Sequence, residues 1–295
     1  IIQTYHGPEF RVSAKYSLTE SSSIKLSYNR TRQYINMLSN TTAIAPTDIW
    51  KLSDPYLKPQ IGDQISLGLY KNLKSNTIET SVEVYYKDIQ NAVNFKNGAS
   101  LILNPNIERD LVNGKGYAYG AEFLIKKTAG KINGWVSYTY SRSLAQINDP
   151  TNNTIVNGGR YFPTNYDKPH SFNFIGNYRL SHRFSVSVNV VYSTGRPITL
   201  PYTKYQIDGV ERVYYSDRNE YRIPDYFRTD VSLNIDGNHK IKQLTHSSWT
   251  IAVYNLTGRQ NVYSIYFRTE NGVTNGYQLS IFAQPLPSIT YNCRF

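Results

Sequence analysis

Asp167, His170 and Ser171 are the residue types that build a nucleophile, its general base and the carboxylate that orients it, and they fall within five positions of one another. The surrounding pattern separates them. His170 and Ser171 open an alternating segment, and neighbours on a strand point to opposite faces, so the two side chains diverge. Asp167-Lys168-Pro169 is expected to shape the turn that leads into that strand. His182, His239 and His246 sit in or beside short turns, at the other end of their strands from His170. We expect no catalytic residues, no metal site and no cofactor. The single Cys293 excludes an internal disulfide framework and a thiolate-rich metal site.

A second constellation is built for recognition. Tyr202, Tyr205, Tyr214, Tyr215 and Tyr221 crowd one segment together with Arg196, Arg212, Arg218 and Arg222, and Trp50 with Lys51 occupies another. Tyrosine offers large contact area at low entropy cost and stacks on sugars or peptides, while arginine pairs with carboxylate or phosphate. These are the candidate ligand-binding residues; the alternative is a loop packed on its neighbours. The chain has Lys+Arg 32 against Asp+Glu 21, a net charge of +11. The basic residues are scattered singly through alternating segments, so no nucleic-acid partner is expected.

The elements that position these groups are strands. In Phe184-Ser185-Val186-Ser187-Val188-Asn189-Val190-Val191-Tyr192 one set of alternate positions is apolar and the other mostly hydroxyl or amide. The pattern returns at 24–29, 82–87, 231–236 and 289–295, with weaker copies at 10–18, 64–72, 121–126, 132–143, 171–180 and 248–255. That makes about eleven strands and no convincing helix. No apolar run reaches the roughly 18 residues of a membrane helix. The composition includes 27 Tyr, and the apolar faces end in Tyr28, Tyr86, Tyr138, Tyr140, Tyr178 and Tyr192. Alternating segments of about 10 residues capped by aromatics mark a transmembrane β-barrel, although a soluble sandwich also alternates.

The connections separate these two folds. Short turns near 19–22, 73–76, 128–131 and 180–182, with a longer one at 237–247, alternate with long loops at 38–60, 90–114, 144–167, 196–224 and 257–284. Outer-membrane barrels sort their loops in this way, with short periplasmic turns and long extracellular loops, and a sandwich has no reason to. The fold class expected is all-β, a transmembrane antiparallel barrel. First and last strands both run inward, which gives an odd number, whereas bacterial single-chain barrels use an even one. Residues 1–295 are therefore expected to be part of a larger barrel.

Four stretches carry a resemblance to the TonB-dependent receptors of the Gram-negative outer membrane. Leu57 to Gly68 resembles the family's L-x-P-E-x-x-x-x-x-E-x-G stretch, with Gln60 and Ser66 where glutamate is usual. Gly120-Ala121-Glu122-Phe123 is similar to its G-x-E strand, and Tyr254 to Tyr263 to the N-L-x-x-R-x-x-x-Y segment of the penultimate strand. Pro287 to Phe295 looks like the terminal strand, in which Tyr291 and Phe295 would serve as the barrel-assembly signal. The resemblance implies the C-terminal half of a barrel of about 22 strands with a plugged lumen. The plug domain and a TonB-binding box would lie in the N-terminal part. It implies active uptake of a scarce solute (chelate, glycan or peptide) in the outer membrane, with the TonB complex, lipopolysaccharide and a surface lipoprotein or other outer-membrane subunits as partners. A barrel subunit without transport and a passive porin stand as alternative readings. Parity gives one test: intact mass spectrometry on protein from its native source is expected to exceed the mass of these 295 residues, and an equal mass would remove the inference.

Overall fold

Apolar β-branched and aromatic residues at every second position make a strand that buries one face, and this chain repeats that design along its length. The computed structural model describes residues 3–38, 49–96, 104, 107, 110–149, 154–237, 246–270 and 273–294. Eleven strands pair in chain order, each antiparallel to the next. They are β1 (Arg11–Thr19), β2 (Ser22–Gln33), β5 (Gln60–Leu73), β6 (Ile78–Phe95), β7 (Leu111–Lys127), β8 (Ile132–Gln146), β12 (His170–Arg179), β13 (Phe184–Ser193), β18 (Tyr226–Asp236), β19 (His246–Tyr254) and β22 (Leu286–Arg294). The ladder has the eleven strands expected from alternation, and several run well beyond the alternating segments, as β6 does beyond 82–87 and β7 beyond 121–126.

The long connections are not plain loops. They fold into hairpins of their own, β3 (Ile35–Leu38) with β4 (Ile49–Leu52), β15 (Pro201–Ile207) with β16 (Val210–Tyr215), and β20 (Val262–Glu270) with β21 (Val273–Ser280). Shorter pairs join β9 (Asn148–Asp149) to β10 (Thr154–Ile155) and β14 (Pro197–Ile198) to β17 (Tyr221–Arg222), while β11 (Phe162–Pro163) attaches to β8.

Register decides which face each residue meets. Tyr178 pairs with Val186, Val186 with Leu233, Leu233 with Ile251 and Ile251 with Ile289, an apolar row that crosses five strands. Leu26, Leu67 and Val84 form the same kind of row on the same face across β2, β5 and β6. These residues point away from the protein, with Leu67 45%, Ile251 43% and Ile289 69% exposed. Aromatic side chains border the band. Tyr28, Tyr86, Tyr138 and Tyr192 lie toward the long loops, and Tyr178, Phe184, Trp249 and Tyr291 toward the short turns. Hydrocarbon outside and aromatic rings at both borders are the arrangement of a strand sheet in a bilayer.

The opposite face is polar and includes two tyrosines laid flat on the wall. A Cβ at Gly68 would stand 2.7 Å from Tyr70 Oη, and one at Gly120 would stand 2.9 Å from Tyr85 Cε1, so glycine is what lets each ring lie there. Among the described residues, the buried hydrophobic clusters sit at the long-loop end. Ala145, Ile147, Val156 and Phe162 form one with Val112, and Leu38 and Ile107 form another with Val93, Phe95 and Leu111. The strands carry no apolar core between them because lipid is the solvent of their apolar face.

A charge on that face is expected to be costly and one on the other face is not. In the intact barrel, Val188→Arg should lower stability by about 2–4 kcal/mol in denaturant titrations from phospholipid vesicles, with the neighbouring Ser187→Arg having little effect. Equal losses at both positions would mean that the faces are assigned wrongly.

Candidate functional site

Asp167 does not pair with His170. Its side chain is completely buried and accepts hydrogen bonds from Arg142 Nε at 3.2 Å, from the Ser143 backbone N–H at 2.7 Å and from Arg222 Nη2. Arg222 also donates through Nη1 to Asp167 O at 2.7 Å and to Gly195 O at 2.9 Å. The carboxylate thus ties the long loop before β12 to the long loop after β13. His170 faces outward, its Nδ1 2.8 Å from the Tyr138 hydroxyl, while Ser171 pairs with Thr139 and Ser193 on the inner side. The three side chains do not converge, for the reason alternation supplied. His182 lies in a short turn, and His239 lies outside the described residues.

The arginines of the 196–224 loop divide by environment. Arg218 is driven into the loop layer, where Nη1 donates to Asn94 Oδ1 at 2.6 Å and to Phe95 O at 2.7 Å and the guanidinium stands 4.9 Å from the Phe95 ring centroid. Burial lowers its pKa to about 10. Its backbone N–H donates to Asn157 Oδ1 at 2.8 Å, and Asn157 Nδ2 donates back to Arg218 O at 3.0 Å. Next to it, Asn219 Nδ2 donates to Pro163 O at 2.7 Å and Asn165 Oδ1 at 2.9 Å. Three long loops are cross-linked through this one turn. Arg196 is half-buried, which lowers its pKa; its Nη2 reaches Tyr263 O at 3.5 Å and its Nε has no hydrogen-bond partner among the described residues.

The remaining candidates are presented to solvent. Tyr205, Tyr214 and Tyr215 are exposed on the β15–β16 hairpin, with Arg212 paired across from Tyr205, and Trp50 is exposed on β4. Tyr202 and Tyr221 share a hydrogen bond at 2.7 Å between their hydroxyls, which raises the Tyr202 phenol to about 12. Tyr291 packs against Trp249 with ring centroids 4.7 Å apart and planes tilted by 43° in the lower aromatic border, and Phe295 lies outside the described residues.

The inner wall holds a second set of polar groups, apart from the loop candidates. Arg228 Nε donates to Asp230 Oδ2 at 3.0 Å, and Nη1 donates to the hydroxyls of Tyr226 at 3.1 Å and Tyr254 at 2.5 Å. Asn189 Nδ2 reaches the same Asp230 oxygen at 3.0 Å. Their positions opposite Val231 and Val253 in the alternation were the available signal. On the facing strands Glu83 lies directly across from Glu122. Tyr70 donates its hydroxyl to Glu83 at 2.7 Å, and neither carboxylate forms an ion pair among the described residues. Like charges placed opposite on a sheet repel. No cluster of His, Cys, Asp and Glu fit for a metal ion occurs among the described residues.

The family model described as TonB dependent receptor-like, beta-barrel matches residues 3–256. Several solved structures share the fold. The siderophore receptor PiuA from Acinetobacter baumannii is 14% identical with a TM-score of 0.61, over 97% of this chain and 35% of that one. The ferric yersiniabactin uptake receptor FyuA from Yersinia pestis is 14% identical with a TM-score of 0.60, over 97% and 37%. The ferripyoverdine receptor of the outer membrane of Pseudomonas aeruginosa is 12% identical with a TM-score of 0.54, over 96% and 32%. The chain spans about a third of the length of each structure. No curated protein sequence matches it.

Two measurements probe the loop layer. Asp167→Asn should cost the layer about 3–5 kcal/mol, since two arginines lose their buried partner. Protease cleavage within 144–167 and 196–224 should rise while the barrel keeps its heat-modifiable gel mobility; unchanged cleavage would show that the loops stand without this carboxylate. Asp225 accepts from Gly195 N–H at 2.9 Å and from the Tyr192 hydroxyl at 2.7 Å, and these bonds hold its pKa below the usual value. A depressed carboxyl contributes its stability in full above the unfolded value and loses it as pH falls through the folded one. Protease protection at the root of the 196–224 loop should therefore stay flat from neutrality to about pH 4 and fall below it, and Asp225→Asn should abolish the step.

Proposed function

The chain belongs to the TonB-dependent receptor β-barrel family of the Gram-negative outer membrane, and from that premise we propose that it forms the C-terminal part of the barrel of an active transporter that takes up a scarce solute by TonB-coupled plug movement. Residues 1–295 supply one barrel domain in part. Among the described residues, strands β1 and β22 end the ladder without a further partner, and an edge left open in hydrocarbon costs several kcal/mol for each unpaired group. Strands outside these residues close the barrel in this reading, and the plug fills the lumen they enclose.

The observation that carries the proposal is the Glu83 and Glu122 pair on the inner wall. In a water-filled pore the two carboxylates would be hydrated and screened by salt. A folded domain in the lumen would displace that water and bring a cation to them, and we read the pair as one of its contacts. The partners are then the plug, the TonB complex acting through it, lipopolysaccharide around the upper aromatic border, and a surface lipoprotein or further outer-membrane subunit on the loop layer. The exposed residues Trp50, Tyr202, Tyr205, Arg212, Tyr214, Tyr215 and Tyr221 make first contact with the solute, while Arg196, Arg218 and Arg222 hold the loops that present them. The solved relatives named above are receptors for siderophores or their ferric complexes, which favours a ferric chelate among the solutes.

The test is uptake of radiolabelled iron from a panel of ferric chelates by cells with the intact receptor, with and without TonB. Energy-dependent uptake that disappears without TonB, with surface binding retained, is the expected result. TonB-independent ion conductance in planar bilayers would replace this reading with a porin, and binding without uptake would replace it with a non-transporting subunit.

A further inference from the structure

The inner wall is not uniform around the sheet. From β2 to β7 it carries fixed charge: Lys25 lies across from Gly68, Gly68 from Glu83, and Glu83 from Glu122. Glu79 and Lys126 form a salt bridge beside them at 3.2 Å. From β12 to β19 the wall changes character. Asn177 pairs with Ser187 and Ser187 with Ser232, and the adjacent row runs Ser185, Asn234, Thr250. Asn234 Oδ1 accepts from the Thr250 hydroxyl at 2.8 Å. Within this strip Arg228 and Asp230 compensate each other at 3.0 Å, and Arg179 and Asp236 lie at its short-turn rim.

The two walls hold a lumen domain in different ways. Facing carboxylates repel, and the charge-assisted bonds that relieve them are stronger than neutral ones. Hydroxyl and amide groups exchange a protein partner for water at small net cost. A domain that fills the lumen and must give way is therefore anchored on β6 and β7 and parts from the strip. We propose that the solute passes along the inward faces of β12, β13, β18 and β19, while the lumen domain stays held against β6 and β7. Above its short-turn rim the strip lacks uncompensated charge among the described residues and is rich in hydroxyl and amide groups, so it suits a hydrated solute bearing hydroxyl or carbonyl oxygens. This rests on the TonB-coupled reading above.

The full-length receptor in intact cells provides the test, with Cys293, which is exposed, replaced in a Cys293→Ser background. Single cysteines are placed on the strip by Ser187→Cys and by Ser232→Cys, and on the anchored wall by Ser81→Cys, beside Glu79 and Glu83 on the inner face of β6. Labelling by a membrane-impermeant cationic methanethiosulfonate is read by mass. Strip positions on two separate strands mean that a variant failing to assemble, seen by loss of heat-modifiable mobility, leaves the other to decide. The expected result is labelling at Ser187→Cys and Ser232→Cys in energised cells that is lost when TonB is deleted, with Ser81→Cys protected in both. Energy-dependent labelling at Ser81→Cys instead of, or together with, the strip overturns the side chosen here and leaves the transport reading intact. Labelling that responds to TonB at none of the three positions overturns the transport reading and the path with it.

Discussion

Hydrocarbon cannot hydrogen-bond to a peptide group, and every other property of this chain follows from that. Each N–H and C=O of a spanning strand must be answered by the next strand, so the sheet is a ladder in strict chain order with no strand exchanged. Once the backbone is satisfied laterally, side chains are free to sort by face. Leu67, Ile251 and Ile289 are exposed because acyl chains, not a second protein layer, cover them. The polar residues between them face inward, which inverts the arrangement of a soluble sandwich.

Packing in the ordinary sense is confined to the loop layer. There the chain is out of the hydrocarbon and must earn order from contacts of its own, and it does so with small apolar clusters under a mesh of side-chain bonds. Asp167 and Arg218 show two ways of burying charge. Asp167 is matched by two arginines, whereas Arg218 is met by an amide oxygen, a carbonyl and an aromatic face. Both tie distant segments together, so the exposed tyrosines beside them stand on a fixed base. A platform of that kind loses little entropy when something binds it.

The inward face obeys a different rule, because the groups it presents are polar and not covered by hydrocarbon. Glu83 and Glu122 place charge on one part of that face, and the serine and asparagine rows place neutral hydrogen-bonding groups that water can wet on another.

Alternation, aromatic ends and loop lengths were enough to determine the fold class, the number of strands and the outward face, because a period of two leaves a residue only two directions in which to point. They also placed His170 and Ser171 apart. Local pattern had no access to partners separated by long stretches of chain. That Asp167 serves Arg142 and Arg222, that Arg218 reaches Asn94, and that Glu83 stands opposite Glu122 are matters of register and loop closure. The tertiary structure alone decided them, since such contacts depend on how far each strand slides against its neighbour and on where a loop of many residues comes to rest.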